Sequence, residues 1–169
     1  MRNFFTIVLV LLFAGLANAQ NGGSAARVSA PSMALTDMSG KSLNTRDLAG
    51  KVVVYNLWYV GCLGCMEEIP KLNAIVDEFP DAVFVGMSLS KSPEITKFLA
   101  KNPFKYRIVP AVGNEILINF GKTDKAGELN VDFPTHVVVN RDGFIEFRAS
   151  GIKGIAGVRE TLQRLTAKK

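Results

Sequence analysis

The feature that most constrains this chain is a pair of cysteines lying between an unbroken apolar stretch and a helical pattern. Residues 52–55 (VVVY) are apolar at every position, which is typical of a strand buried on both faces of a sheet. Cys62 and Cys65 follow, and apolar residues at helical spacing then predict a helix over 63–79. This order indicates an α/β fold with the cysteines at the amino end of the helix.

Further strands and helices alternate along the rest of the chain. Strands are predicted over 82–87, 106–109, 135–140 and 144–149, and helices over 93–101, 115–120 and 158–166. A β-hairpin is predicted over 33–43, a helical turn capped by Thr45, and a polar loop over 121–130. Pro70 predicts a kink in the first helix, and Ser92 is expected to cap the second. The order predicts one domain, a three-layer α/β sandwich.

The first residues have the pattern of an export signal. Arg2 precedes an apolar stretch of 14 residues, and an A-x-A sequence ends at Ala19. We expect residues 1–19 to be a signal peptide cleaved after Ala19, so that the mature protein works outside the cytoplasm, in the periplasm of a bacterial cell. The alternative is an uncleaved N-terminal membrane anchor, although the stretch is shorter than the roughly 20 residues that span a bilayer. Residues 20–30 are predicted to be a flexible lead-in to one domain over 31–169.

The composition disfavours several classes of protein. The net charge is +5, with no run of Lys or Arg beyond Lys168 and Lys169, so we expect no nucleic-acid partner. Two cysteines form neither a scaffold of several disulfides nor a four-thiolate zinc or iron–sulfur site. A zinc ion would need further ligands, and only His136 and carboxylates are present. We therefore expect no metal site and no cofactor.

The position of the cysteine pair indicates redox chemistry. At a helix N-terminus, free backbone N–H groups and the positive end of the dipole favour a thiolate on Cys62, which is the nucleophile in disulfide exchange. Cys65 lies one turn further on and can attack a mixed disulfide to release the substrate. A purely structural bridge is disfavoured, because so short a spacing closes a small loop that removes little entropy from the unfolded chain.

The segment around the cysteines resembles the active site of thioredoxin-fold oxidoreductases of the TlpA/ResA type. The matching residues are Asn56-Leu57-Trp58 and, after three others, the stretch from Cys62 to Pro70. Phe133-Pro134-Thr135 and the stretch that follows to Gly143 resemble that family's cis-proline loop and hairpin. The resemblance covers most of residues 30–169. It implies a thioredoxin-like three-layer α/β/α sandwich with a central mixed β-sheet and an N-terminal β-hairpin extension.

The resemblance also implies roles for individual residues. Glu68 matches a glutamate that is partly buried in the family and handles the proton of the second cysteine, while the neighbouring Glu67 is expected to be solvated. A Glu68 that only favours the helix N-terminus electrostatically is the alternative. Pro134 is expected to follow a cis peptide bond and, with Phe133, to bind an extended substrate peptide. A trans proline at the first residue of a strand is the alternative, which X–Pro bonds in general favour. Trp58 is expected to pack beneath the active site and support substrate binding, or else to be ordinary core.

The function implied is an exported thiol–disulfide oxidoreductase that exchanges the Cys62–Cys65 pair with protein substrates. TlpA/ResA-type proteins are generally reductants, often serving cytochrome c maturation or metal-centre assembly, which favours a reductant over an oxidant. The resemblance further implies a membrane partner that donates electrons, and we expect a monomer. Two departures bear on redox potential and substrate preference: Gly61 stands where the family usually has a large residue, and Phe133 is bulkier than usual.

Two other functions compete with this interpretation. A peroxidase is disfavoured, because thioredoxin-fold peroxidases carry Pro and Thr seven and three residues before the reactive cysteine, where this chain has Tyr55 and Tyr59. A copper-delivery module that binds metal through Cys62, Cys65 and His136 is the alternative from another class. Copper-carrying relatives of the fold space their cysteines by three residues, and here the spacing is two. His136 is otherwise expected to be structural.

Overall fold

The predicted apolar strand is the central element of the fold. The computed structural model describes residues 27–167. Its strands are β1 (Ala34–Thr36), β2 (Ser42–Asn44), β3 (Val53–Trp58), β4 (Val83–Ser88), β5 (Arg107–Val109), β6 (Lys122–Thr123), β7 (Leu129–Asn130), β8 (Thr135–Val139) and β9 (Ile145–Ser150). Its helices are α1 (Leu63–Glu78), α2 (Ser92–Leu99), α3 (Gly113–Phe120) and α4 (Gly154–Thr166), with a short 3-10 helix over Thr45–Leu48.

Five strands form one mixed sheet in the order β5-β4-β3-β8-β9. β3 and β5 both run parallel to β4, whereas β8 runs antiparallel to β3 and β9 antiparallel to β8. Parallel neighbours need crossover connections, and α1 and α2 supply them. The β1–β2 hairpin precedes the sheet. The predicted mixed sheet and N-terminal hairpin are confirmed.

Alternate residues of β3 face opposite sides of the sheet and so separate two cores. Tyr55 and Leu57 pack with buried residues of α3 and of the β1–β2 hairpin. Val54 packs on the other side with buried residues of α1 and α4. Asn56 shares the face of Val54, because side chains two residues apart on a strand point the same way. A polar side chain is thereby placed under α1.

Some boundaries differ from the prediction, because local hydrogen bonds decide where short elements begin. α2 includes Ser92, since the backbone N–H of Lys91 donates to the Glu94 carboxylate at 3.0 Å and Lys91 takes the capping position. Asn44, and not Thr45, caps the 3-10 helix with its side chain. α4 begins earlier than predicted, and the predicted polar loop after α3 contains the paired strands β6 and β7.

The predicted signal peptide, residues 1–19, lies outside the described residues, as does most of the predicted lead-in. The end of the lead-in is held by backbone hydrogen bonds to the β8–β9 hairpin. The N–H of Ala30 donates to the carbonyl of Gly143, and the N–H of Ile145 donates to the carbonyl of Val28, both at 2.8 Å. Within the described part of the chain, no helix has the length and apolar character that a membrane span requires.

Asp37 joins the N-terminal hairpin to the edge of the sheet. Its Oδ1 accepts hydrogen bonds from the Ser39 hydroxyl at 2.6 Å and the Lys41 N–H at 3.0 Å, and its Oδ2 lies 2.7 Å from Nη2 of Arg107 on β5. These contacts, led by the Ser39 hydrogen bond, lower the pKa of Asp37 from 3.8 to about 2. A carboxyl with a depressed pKa stabilises the fold above its unfolded pKa and loses that contribution as the pH falls.

Asp37→Asn is expected to lower the free energy of unfolding at neutral pH by about 1 kcal/mol, because the amide keeps the shape and loses the charge. The difference from the unmodified protein should shrink as the pH falls from about 4 to about 2, the range over which Asp37 takes up its proton. Urea unfolding at a series of pH values measures it, with the exposed Asp81→Asn as control. A difference in unfolding free energy that does not change with pH would contradict the lowered pKa of Asp37.

Candidate active site

Cys62 and Cys65 lie where β3 ends and α1 begins. They form a disulfide, and Cys62 is the capping residue of α1. The backbone N–H of Cys65 donates to Sγ of Cys62 at 3.1 Å. In the reduced protein, this N–H and the positive end of the helix dipole would stabilise a thiolate on Cys62. α1 extends past Pro70 to Glu78, and the two cysteines lie at its amino end.

Aromatic side chains fill the space beneath the cysteines. Trp58 belongs to the same buried cluster as both of them and is 1% exposed. Its ring packs against Phe104 and Phe98, with centroids 4.8 Å and 5.6 Å away. Trp58 therefore packs in the buried cluster below the cysteine pair. Its predicted support of substrate binding stays a prediction, and at 1% exposure that support would act through packing.

The loop before β8 lies against the first turn of α1. The peptide bond between Phe133 and Pro134 is cis. A Cβ added at Gly64 would lie 3.3 Å from Cδ of Pro134, so the proline ring lies close to the first turn of α1. The half-buried Phe133 ring packs edge-on against Tyr59, with centroids 5.4 Å apart. Because Gly64 is inside the C-x-x-C motif, the loop and the cysteines share one surface.

Exposed apolar side chains surround this surface. Leu63, between the cysteines, is 77% exposed, and Tyr59 and Met66 are also exposed. A groove beside Phe133 is lined by further apolar residues, namely Leu89, Ile116, Leu117, Leu129 and Val131. Clustered apolar residues on a protein surface mark a site for another molecule. The surroundings of the cysteine pair therefore suit a polypeptide better than a small charged ligand.

Behind the cysteines, Glu68 is buried in a network of polar side chains. It is 1% exposed and lies one turn beyond Cys65 on α1. Its Oε1 accepts a hydrogen bond from Nδ2 of Asn56 at 2.8 Å, and its Oε2 lies 3.1 Å from Nε2 of His136. The Tyr106 hydroxyl donates to Oδ1 of Asn56 at 3.1 Å. The network connects α1 with β3, β8 and the start of β5.

Burial keeps Tyr106 protonated within this network. Loss of solvent and, second, the charge of Glu68 raise the pKa of Tyr106 well above its usual value. Its hydroxyl is therefore a donor at neutral pH and satisfies the Asn56 carbonyl oxygen. Within residues 27–167, Nδ1 of His136 is buried without a hydrogen-bond partner, which is uncommon for a buried nitrogen.

Comparison with known proteins identifies the family. A family model described as AhpC/TSA matches residues 26–148. The chain belongs to the AhpC/TSA family. One curated relative is the thiol-disulfide oxidoreductase ResA of Bacillus thuringiensis. It is 23% identical over 140 residues, which cover 81% of this chain and 76% of ResA.

Solved structures share the fold of this AhpC/TSA protein. A thiol:disulfide interchange protein from Chlorobium tepidum matches with a TM-score of 0.71 and 21% identity, over 83% of this chain and 97% of its own. MTB dsbF, solved in mixed oxidised and reduced forms, matches with a TM-score of 0.67 and 22% identity, over 82% of this chain and all of its own. These matches confirm the thioredoxin-like fold. The curated ResA relatives support the predicted class, a thiol–disulfide oxidoreductase.

The AhpC/TSA fold brings most of the predicted site residues together. The cysteine pair and the cis-proline loop share a surface, Glu68 is buried behind them, and Glu67 is exposed as expected. The sequence prediction missed the contact of His136 with Glu68 and the link through Asn56. The available sequence signal was a polar residue inside each of two apolar strands, Asn56 in β3 and His136 in β8. The β3–β8 register places these two residues opposite each other.

The described residues show no ready-made metal centre. Within 27–167, no three or more His, Cys, Asp or Glu side chains are grouped closely enough to hold a metal ion. His136 is fully buried and contacts Glu68. Copper binding through Cys62, Cys65 and His136 would first require reduction of the disulfide.

Proposed function

We propose that this protein is an exported reductant whose Cys62–Cys65 dithiol reduces disulfides in protein substrates. The observation that carries the proposal is the Cys62–Cys65 disulfide at the amino end of α1, with the buried carboxylate of Glu68 one turn behind it. Such a disulfide adds little stability, because the loop that it closes is very short. Electron exchange is the better explanation of its position.

Cys62 is the attacking thiolate in the proposed reaction. Its sulfur attacks one sulfur of the substrate disulfide, forms a mixed disulfide and releases the other substrate sulfur as a thiolate. Glu68 accepts the proton of Cys65, whose thiolate then attacks the Cys62 sulfur and releases the second substrate thiolate. Two electrons pass to the substrate, and the protein is left with the Cys62–Cys65 disulfide.

The surface around the cysteines supports a polypeptide substrate. In the proposed complex, the backbone of Phe133 beside cis Pro134 pairs with an extended segment of the substrate, and the Phe133 ring packs on it. The exposed side chains of Leu63 and Met66 supply apolar contact on the other side of the disulfide.

The cellular setting follows from the N-terminal pattern and from the resemblance to TlpA/ResA-type proteins. We propose that residues 1–19 are removed on export and that residues 31–169 act in the periplasm as a monomeric domain. Each reaction leaves the protein oxidised, so a reductant in an oxidising compartment needs a supply of electrons. A membrane partner is proposed to provide them, with targets in cytochrome c maturation or metal-centre assembly.

An insulin-reduction assay beside a copper titration of the reduced protein tests the proposed function. The unmodified protein should accelerate the reduction of insulin by dithiothreitol, and Cys62→Ser should not. Tight copper binding that requires both cysteines and His136, together with no insulin reduction, would contradict the proposal and favour copper delivery.

Cys62 is expected to ionise below about pH 8.5, the range of a free cysteine, because the N-terminus of α1 favours the charged form. Thiolate absorbance is followed against pH in a Cys65→Ser variant, so that Cys62 is the thiol observed. Cys62→Ser is the control, because its remaining thiol is Cys65. This thiol should titrate at higher pH than Cys62, since Cys65 lies deeper in the helix. A midpoint for Cys62 at or above about 8.5 would reject the prediction.

A further inference from the structure

The Glu68 carboxylate is held at both oxygens by side chains from two neighbouring strands. Asn56 on β3 donates to Oε1 at 2.8 Å, and His136 on β8 lies 3.1 Å from Oε2. All three residues are at most 2% exposed, so the carboxylate is shielded from bulk solvent. Because β3 and β8 pair with Asn56 opposite His136, the two strands hold the carboxylate between them.

The surroundings of His136 indicate which of its nitrogens carries a hydrogen. Nε2 faces the carboxylate, whereas Nδ1 is buried with no hydrogen-bond partner among the described residues. An imidazolium would bury an unpaired N–H, and a neutral ring with its hydrogen on Nδ1 would do the same and also leave Nε2 without a hydrogen to donate. A neutral ring with its hydrogen on Nε2 donates to Glu68 and leaves only a lone pair unpaired. This tautomer fits the site.

We propose that His136 is a positioning residue for disulfide exchange: its Nε2–H, together with the Asn56 amide, holds the Glu68 carboxylate ionised and ready to accept the Cys65 proton. This rests on the proposed function. The other titratable groups at the site are Cys65 itself and Tyr106, whose hydroxyl points to Asn56.

α4 adds no charge to this site. It approaches His136 through Gly154, where a Cβ would lie 3.0 Å from Cδ2 of the imidazole. The preceding Lys153 is exposed to solvent. The Glu68 carboxylate therefore has two neutral donors, Asn56 and His136, and removal of either leaves one of its oxygens without that hydrogen bond.

Reaction of the reduced full-length protein with one equivalent of dithiobis(nitrobenzoate) separates the two steps. Attack by Cys62 forms a mixed disulfide and releases the first thionitrobenzoate. Attack by the Cys65 thiolate on the Cys62 sulfur, after its proton has passed to Glu68, releases the second. Two electrons leave the dithiol and reduce the reagent to two thionitrobenzoates. The first phase therefore reports Cys62, and the second reports the step that uses Glu68.

His136→Leu keeps the bulk of the side chain and loses the donor, so its second phase should slow about tenfold at neutral pH while the first phase stays unchanged. The acid limb of its second-phase pH profile should move to higher pH. His136→Gln places an amide N–H near the position of Nε2 and should restore the second phase to within about threefold of the unmodified rate. If His136→Leu does not fold, His136→Asn takes its place, because the asparagine side chain is too short to bring its amide to the position of Nε2.

A matched pair of variants separates positioning from packing. In a Glu68→Gln background, His136→Leu should add no further slowing, because the two side chains act on one proton. Four results would each overturn the role of His136. They are additive slowing in the Glu68→Gln background, an acid limb of the pH profile that does not move, equal slowing in His136→Leu and His136→Gln, and a slowed first phase. Absence of a second phase in the unmodified protein would instead overturn the proposed function.

Discussion

Cys65→Ser is expected to accumulate covalent complexes with substrate proteins, whereas Cys62→Ser is expected to accumulate almost none. Cys62 caps α1, where the helix N-terminus favours its thiolate, and it lies beside the exposed Leu63. Both cysteines are little exposed, Cys62 at 5% and Cys65 at 2%, so the thiolate at the helix cap decides the order of attack. A substrate disulfide should therefore meet Cys62 first, and loss of Cys65 removes the thiol that would release it. Insulin reduction should fall below about 1% in either variant.

Non-reducing gels of extracts from the source cell, with each variant expressed at the same level, reveal these complexes. The double variant Cys62→Ser/Cys65→Ser is the matched control for complexes that do not involve this site. Equal trapping by both single variants would mean that the two cysteines share the attacking role. Trapping by neither would favour the copper alternative.

Glu68→Gln is expected to slow the release of the mixed disulfide about 100-fold, with little change in the attack by Cys62. The amide keeps the shape and the contact with His136 but does not accept the Cys65 proton. Release depends on Cys65 as a thiolate, and Glu68 is the buried carboxylate next to it on the helix. The two phases of thionitrobenzoate release measure both steps in one experiment.

Glu67→Gln is the matched control for this variant. The two glutamates are adjacent on the same turn of α1, but Glu67 is exposed and Glu68 is buried. The Glu67 variant should therefore react at the unmodified rate in both phases. Equal losses in both variants would assign the effect to the charge of the helix N-terminus, and the special role of Glu68 would then be wrong.

The elements that position the active site could be predicted from sequence patterns alone. The unbroken apolar run of β3 and the helical spacing of α1 are strong signals, because both elements bury much of their surface. α4 begins four residues earlier than predicted, at Gly154. Glycine is a weak helix former, and its place there reflects close packing against Ala149 and His136, a tertiary effect that local propensity does not contain.

The chemistry of the site was only partly predictable. The C-x-x-C motif depends on local spacing, so its position at the end of β3 followed directly from the sequence. The contact between Glu68 and His136 joins residues that are 68 positions apart and depends on the register of β8 against β3. A one-residue shift of that register would turn the imidazole to the opposite face, and no local pattern specifies the register.

The reduction potential of the Cys62–Cys65 pair tests the central claim most directly. The purified protein is equilibrated in dithiothreitol and glutathione redox buffers of known poise, its thiols are alkylated, and the oxidised fraction is determined by mass. A protein that reduces substrates should show a two-electron transition near about −270 mV. A transition near about −120 mV would mark an oxidant and contradict the proposed direction of electron flow.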